Sequence, residues 1–559
     1  MSDITEQENR TPDASTRDQN LSGIGRSASL ISMGNIAGRI LGLVREMIIA
    51  RYFGATGEVS AFRTASQVPT ALYDLLVGGM LSAALVPTLN EYTSLEHRKT
   101  FARLVSSLLI LFALALALIT ITLEFFAPQI AQWLAPGFRV NTPHLLILTI
   151  RLLRIAVPTV WFISMAGVVM GILYAQERFT FPAMAAAIFN LGIVVTTPLL
   201  ASSLGILSLA VGMLIGSIAQ LIFMGWDLVR FLYQENLLSS LRPSNHPALS
   251  KILHLYLPIA SVTLFSTGQI ALDRRLANST GELSVAWMQY ATTLQQLPLG
   301  LISIAISLAS LPRLSHYFTI QDQKKYRQTL STGLRLVLLL IVPAAAILWI
   351  LGEPIIRLIF EHQSSIFAPE DTARVFPALR IYAIGMIFAA IDNPLNYAFY
   401  ARNNTLLPAI VGVISILVYV ITAFTLLNTM GYLALVWADT IKHSSHMLLM
   451  ILALYWQIGR LQAGLCISWS KILGAGAGMA VVVWATYHLF QFYIFPSYNL
   501  AYDNMTTQNF TKSPTFLVDL LILSGSAGLG LSAYIMLLYW FGVRDFATLV
   551  ASLRKKSNI

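Results

Sequence analysis

Val86-Pro-Thr-Leu-Asn-Glu-Tyr92 returns, 225 residues later, as Leu311-Pro-Arg-Leu-Ser-His-Tyr317. Each copy runs into a basic polar stretch, His97-Arg-Lys99 after the first and Lys324-Lys-Tyr-Arg327 after the second. Further matches follow at an offset of 226: Leu153-Arg-Ile155 against Leu379-Arg-Ile381, Tyr174-Ala175 against Tyr400-Ala401, and Pro182-Ala183 against Pro408-Ala409. Any one of these could arise by chance. Together, in order and at near-constant spacing, they make the chain a duplication of one unit a little over 220 residues long.

The unit is built for lipid. Of the 559 residues 56% are hydrophobic and 11% charged, against about 25% charged in soluble domains. The mean hydropathy is +0.68, and apolar runs of spanning length recur from Ala28 almost to the C-terminus. The net charge of +10 would suggest nucleic acid on a soluble protein. Here it follows from Lys- and Arg-rich cytoplasmic loops, so no nucleic-acid partner is expected. The single cysteine, Cys466, excludes an intramolecular disulfide, and the nine histidines show no ligand spacing. No metal or cofactor is expected.

Apolar stretches place spans at about 27–52, 60–90, 101–127, 144–175, 180–203 and 205–233. After a polar joint at Arg242-Pro-Ser-Asn-His-Pro247 come 250–275, 283–316, 326–351, 372–401, 405–428 and 431–457, then 466–492 and 515–541. The total is fourteen, and six spans per repeat return the chain to its starting side, so the copies are parallel. The expected fold is an all-α polytopic membrane protein: two parallel six-helix repeats around a central cavity, with two extra C-terminal helices. The expected organisation is a disordered cytoplasmic tail (1–25), two six-helix lobes (26–240 and 241–460), the extra pair (461–543) and a basic tail (544–559). No secretory signal precedes the first span. With the N-terminus inside, only Arg51, Arg139, Arg274, Arg275, Arg357, Arg374 and Lys512 fall on the outer side, in loops or at span ends. The excess of loop Lys and Arg is then cytoplasmic, which puts both termini there.

No Gly-x-x-x-x-Gly-Lys-Ser/Thr, nucleophile triad, carboxylate pair or metal cluster occurs. An enzyme or nucleotide-driven pump therefore has no candidate site, and coupling falls to an ion gradient or the membrane potential. Gly474, Gly476 and Gly478 in an apolar span read as close helix packing. What remains is charge inside the spans, which costs roughly 2.5–3.5 kcal/mol per group on insertion scales and so usually faces a cavity or a partner. Arg63, Arg151, Arg154, Arg335 and Arg380 lie near span ends and read first as snorkelling. Lys442 reads as the ion-pair partner of Asp439. Arg39 and Arg45 share the first span, in Gly38-Arg-Ile-Leu-Gly-Leu-Val-Arg-Glu46, where Gly34, Gly38 and Gly42 permit close backbone approach. Two readings stay open: Arg45 pairs with a carboxylate such as Glu46 while Arg39 caps a bundle, or both line the cavity and hold an anion with guanidinium forks suited to phosphate. Asp74, Asp273 and Asp392 are candidate counter-ions for cavity arginines or parts of a cation- or proton-coupling site.

The same residues carry a resemblance. Arg39-Ile-Leu-Gly-Leu-Val-Arg-Glu46, Ala50-Arg-Tyr-Phe-Gly54, Ala61-Phe62, Pro69, Gly79 and Val86-Pro87 are similar to the opening of the MurJ (MviN) lipid II flippases. So are Ala135-Pro-Gly-Phe138, Asp273-Arg274, Pro298 and Leu311-Pro312 further on. The resemblance implies the fold of the multidrug/oligosaccharidyl-lipid/polysaccharide exporter superfamily. It also implies alternating-access flipping of undecaprenyl-pyrophosphate-linked peptidoglycan precursor in the bacterial plasma membrane, by a monomer whose partners are that glycan lipid and membrane lipids. By the same resemblance Arg39 and Arg45 point into the substrate cavity, and the last two spans form a groove for the lipid tail. The chain departs from the family pattern at Ser60, where an acidic residue is common, at Tyr73 and Asp74, where basic residues are frequent, and at Thr293 in Tyr290-Ala-Thr-Thr-Leu294, where a cavity arginine is expected. Arg63 or Arg274 could complete the anion site. The lost arginine leaves two alternatives open: a flippase for another polyprenyl-linked oligosaccharide, such as a capsule or exopolysaccharide unit, and a polytopic scaffold that transports nothing.

Overall fold

A computed structural model describes residues 14–78, 84–93, 98–243, 246–361, 366–462, 464–494 and 515–543. The helices are α1 (Ala14–Phe53), α2 (Gly57–Tyr73), α3 (Val86–Asn90), α4 (Arg98–Leu134), α5 (Pro136–Asn141), α6 (Pro143–Ala156), α7 (Pro158–Ala175), α8 (Thr180–Ala183), α9 (Ala185–Leu204) and α10 (Leu207–Gln234). The second copy holds α11 (Pro247–Thr280), α12 (Ser284–Thr319), α13 (Gln323–Phe360), α14 (Pro369–Tyr400), α15 (Leu406–Met430) and α16 (Tyr432–Ile458), followed by α17 (Leu465–Leu489) and α18 (Thr515–Trp540). No strand occurs among the described residues. Each expected span falls on one helix or on two in succession.

Four differences have local causes. Helix α1 begins at Ala14, within the segment expected to be a disordered tail; residues 1–13 and the basic tail 544–559 lie outside the described residues. The second span is broken beyond Pro69, where a π-helical turn runs from Asp74 to Gly78. The fourth is split at Val157, because Pro158 opens α7 and lacks the N–H that would continue α6. The seventh span, expected to end at 275 with Arg274 and Arg275 at its outer end, continues as α11 to Thr280.

The duplication is visible in the backbone. Two turns recur at an offset of 226: Glu177 and Asn403 at φ 55° and 57°, and Gly205 and Gly431 at φ 55° and 57°. Gly205 N–H donates to Ala201 O at 3.0 Å and Gly431 N–H to Leu427 O at 3.0 Å, so both copies end the helix before their last span in one way. A left-handed φ at that turn is open to glycine without a Cβ penalty.

Lipid is the outer solvent. Leu114, Leu118, Ile121 and Phe125, spaced along one face of α4, are 67, 67, 67 and 75% exposed, an apolar stripe no aqueous surface would carry. Ten helices among the described residues are long and apolar enough to cross a membrane. The spans outside that set are carried by α1, α2–α3, α11 and α16, which hold the charged residues discussed below. Within the first copy, α9 packs tightly on α10 because three glycines face each other: a Cβ on Gly192 would lie 2.3 Å from Gly216 Cα, and one on Gly212 would lie 2.9 Å from Ile193 Cα. The glycines of α17 work likewise. A Cβ on Gly476 would meet Val342 of α13 at 2.2 Å, and one on Gly478 would meet Leu537 of α18 at 2.6 Å, so this glycine run is helix packing.

The two copies meet where α1 turns into α2 and α11 into α12. Tyr290 Oη donates to Gly54 O at 2.7 Å, Asn278 Nδ2 to Thr64 Oγ1 at 3.0 Å, and Ala286 N–H to Ser60 Oγ at 3.2 Å. Ser60 is wholly buried. A carboxylate there would need a charged partner in the seam, whereas a hydroxyl accepts the α12 amide directly.

Candidate anion site between the two copies

Helix α1 brings its glycines against α8 and α9. A Cβ on Gly38 would lie 3.0 Å from Ala186 Cβ, and Asn190 of α9 donates to Gly38 O at 3.1 Å. The same Asn190 accepts from Arg45 Nη1 at 2.8 Å, so close packing at one glycine fixes the arginine two turns further on. Arg45 also binds Glu46 Oε1, through Nη2 at 2.8 Å and Nε at 3.2 Å.

Glu46 is completely buried, and its other carboxylate oxygen accepts from Arg63 Nη2 on α2. Arg63 is itself 7% exposed. It is therefore not a snorkelling residue. Charges survive burial when paired, and here one carboxylate faces two guanidinium groups. A third, Arg274 on α11, acts electrostatically on Arg63 together with Arg45. Arg274 Nη2 donates to Gln289 Oε1 on α12 at 2.9 Å. The Nε atoms of Arg63 and Arg274 are buried without an acceptor. Two guanidinium groups on one carboxylate, with open donors on Arg63 and on nearby Arg274, leave a surplus of positive charge at the seam between the copies, which is what an anion requires.

Arg39 stands apart from this group. Its Nη1 donates to Gln296 O of α12 at 2.8 Å, across the seam, and Gly300 makes the room: a Cβ there would lie 1.7 Å from Arg39 Cζ. Thr293, in the place of the expected arginine, turns its hydroxyl back to Gln289 O at 2.9 Å. Residues 289 and 293 are one turn apart on α12, so Arg274, held by Gln289, brings a guanidinium close to where that arginine would have been.

The carboxylates separate. Asp273 accepts from Tyr419 Oη on α15. Asp392, 7% exposed, lies on α14 against α16. Asp74 is exposed at the π-helical turn and makes no ion pair among the described residues. Asp439 and Lys442 are paired at 2.6 Å, as their spacing suggests. Arg335, like Arg63, is buried, at 9% exposure, and binds Gln462 Oε1 at 3.1 Å; Arg380 stacks on Trp349 with its Cζ 4.1 Å from the ring centroid. Asn190, Gln289 and Gln296 escaped the sequence reading. Each is an uncharged polar residue in an apolar span, the one signal available for it.

A duplicated, all-helical membrane protein with buried charge at the seam between its copies has the architecture of a multi-pass transporter. The fold agrees with a solved inward-facing MATE transporter of the MOP superfamily, at TM-score 0.66 and 15% identity over 76% of this chain and 95% of the other. It agrees further with lipid II flippase MurJ in its inward closed conformation, at TM-score 0.74 and 24% identity over 93% of this chain and 99% of the other. The chain belongs to the lipid II flippase MurJ family, whose family model matches residues 49–502. Relatives include MurJ of Buchnera aphidicola subsp. Acyrthosiphon pisum, 30% identical over 383 residues (68% of this chain, 73% of the relative). The lipid II flippase MurJ of Burkholderia cenocepacia is 25% identical over 436 residues (77% and 83%), and the MurJ of Vibrio cholerae is 26% identical over 535 residues (93% and 96%).

Proposed function

We propose that this chain carries lipid II, the undecaprenyl-pyrophosphate-linked peptidoglycan precursor, across the bacterial plasma membrane by alternating access, and that Arg45, Arg63 and Arg274 hold the pyrophosphate. The observation behind it is the pair of arginines on the single buried carboxylate of Glu46, with Arg274 acting on Arg63 beside them. A pyrophosphate would use the surplus charge and the open guanidinium donors. Arg39 belongs to the same reading as a contact that makes and breaks when the copies move, because its partner Gln296 is on the opposite copy. One chain supplies both sides of the seam, which favours a monomer. The distribution of Lys and Arg supports cytoplasmic termini in this reading. Helices α17 and α18 would take the lipid tail, and the two lobes of 26–240 and 241–460 would be the moving units. Asp74, Asp273 and Asp392 remain candidates for counter-ion or coupling roles.

Depletion of a bacterium's own lipid II flippase provides the test. The wild-type gene should restore growth and surface-exposed lipid II, and Arg45→Ala and Arg274→Ala should fail to do so at equal membrane levels. Rescue by both variants would remove the arginine group from the mechanism. Wild-type protein that inserts but does not rescue would instead favour another polyprenyl-linked glycan.

A further inference from the structure

One group of titratable side chains lies outside the arginine site and has no part in it. Asp392 of α14 faces two histidines of α16, with His443 Nδ1 3.1 Å from Oδ2 and His446 Nδ1 3.1 Å from Oδ1. His443 Nε2 is 3.9 Å from Asp439 Oδ1, so this imidazole stands between two carboxylates. Among the described residues Asp392 has no Lys or Arg partner, and its Oδ1 is buried without a geometrically formed hydrogen bond, as is Nδ1 of His446.

The surrounding charges do not balance. On α16, Asp439 is neutralised by Lys442. On α11, Asp273 is hydrogen-bonded by Tyr419 of α15 and lies in the field of Arg274, Asp439 and Lys442. On α14 itself Tyr382 faces Asp439 and Asp273. From α12 the contact is uncharged: Ser303 Oγ accepts from Asn393 Nδ2 at 3.1 Å. Asp439 has Lys442 and Asp273 has the Tyr419 hydroxyl, whereas Asp392 meets only imidazoles among the described residues, so its negative charge has no fixed cation beside it. In a membrane interior such a charge needs a compensating cation. Two imidazoles placed on the two oxygens of one carboxylate are sites for a proton, whereas Na⁺ and other hard cations prefer oxygen ligands.

The hydrogen-bond ladder of α14 lacks one bond beside this group. Pro394 cannot donate to Ala390 O, and Ser303 Oγ of α12 donates to that carbonyl instead, at 2.5 Å. A change of charge at Asp392 therefore acts two residues from a point where α14 can bend and change its grip on α12.

We propose that Asp392, His443 and His446 form a proton-binding site in the second copy. Its loading from one side of the membrane and unloading to the other are coupled to the alternation of the lipid carrier. The coupling rests on the carrier reading above; the proton site does not. One proton enters as an N–H or O–H bond shared within the group, neutralising the carboxylate, and leaves as the same proton.

Two measurements on the full-length protein test it. In proteoliposomes, proton uptake on acidification from about pH 8 to about pH 5, the range in which histidines titrate, should be lower in Asp392→Asn and in the His443→Gln/His446→Gln double variant than in the wild type. Equal uptake by all three proteins overturns the site. With lipid II present and the membrane potential clamped at zero, a gradient of one pH unit should shift the leaflet distribution of lipid II by about tenfold per coupled proton, and Asp392→Asn should lose that shift. A wild-type distribution indifferent to the pH gradient, or one that follows a Na⁺ gradient at equal pH instead, overturns proton coupling. Absence of lipid II transfer under every gradient, with the uptake difference intact, would overturn the carrier reading and leave the proton site standing.

Discussion

Glu46 of α1 and Arg63 of α2 form a buried ion pair at the seam between the two copies, with the glutamate side chain wholly inaccessible and the arginine side chain 8% exposed. The pair ties α1 to α2, whose other polar contacts, Ser60 with Ala286 and Thr64 with Asn278, reach into the second copy. Glu46 thereby sets the charge of the site. It cancels one arginine and leaves the others for a ligand.

Removing Glu46 should cost more than removing any arginine beside it. In Glu46→Ala, Arg63 stays buried without compensation, and breaking such a pair from one side costs about 3–5 kcal/mol. Thermal unfolding of the detergent-solubilised variant should show a large fall in midpoint, accompanied by lower membrane abundance. An unfolding midpoint equal to that of the wild type would mean that the pair contributes nothing to stability.

Gly300 should matter only through Arg39. A methyl group at position 300 occupies the place of the Arg39 guanidinium and expels the side chain from Gln296 O. The expected loss is about 1 kcal/mol, since the hydrogen bond is partly exposed. Gly300→Ala and Arg39→Ala should each slow lipid II transfer, and the double variant should be no slower than Arg39→Ala. Additive slowing would show that Gly300 acts elsewhere.

Arg274 and Thr293 should be exchangeable in one direction. Arg274→Gln removes one of three charge-assisted donors, each worth about 1.5–3 kcal/mol, and transfer should fall roughly tenfold or more. Adding Thr293→Arg, one turn from Gln289 on α12, should recover much of the rate. Failure to recover, with the protein still folded, would separate the two positions in function.

Two glycines of α10 should respond to alanine with opposite signs. In Gly216→Ala the new Cβ would lie 2.4 Å from Phe189 O, a backbone atom, so α9 and α10 must separate, at about 1–3 kcal/mol. In Gly225→Ala nothing lies within 4 Å, and the helix should gain up to about 1 kcal/mol from alanine's propensity. Thermal unfolding of the two variants side by side would show it; equal shifts would refute the assignment of Gly216 to the interface.

Much of the site was legible as residue types and little of it as pairings. Arg39, Arg45, Arg63 and Arg274 stand out because a guanidinium in an apolar span is costly wherever it points. Their division of labour did not show. Arg39 crosses to Gln296, 257 residues away, while Arg45 stays within the first copy on Asn190. Arg63 near a span end looks like a snorkelling residue until α1 is seen to cover it with Glu46. His443 and His446, three residues apart on α16, have no ligand motif in the sequence and acquire a purpose only when α14 brings Asp392 against them.

The sequence alone determined the lipid solvent, the fourteen spans and the duplication, because each rests on apolar runs and repeated motifs that are local in the chain. The left-handed turns at Glu177 and Asn403, and at Gly205 and Gly431, keep the same offset for that reason. The tertiary structure decided which charge meets which. Ion pairs and hydrogen bonds form over about 3 Å, so they depend on how each helix is rotated about its axis and how closely its neighbours approach. Contacts such as those of Gly38 with Ala186 and of Gly300 with Arg39 set these quantities, and they join residues far apart in the chain.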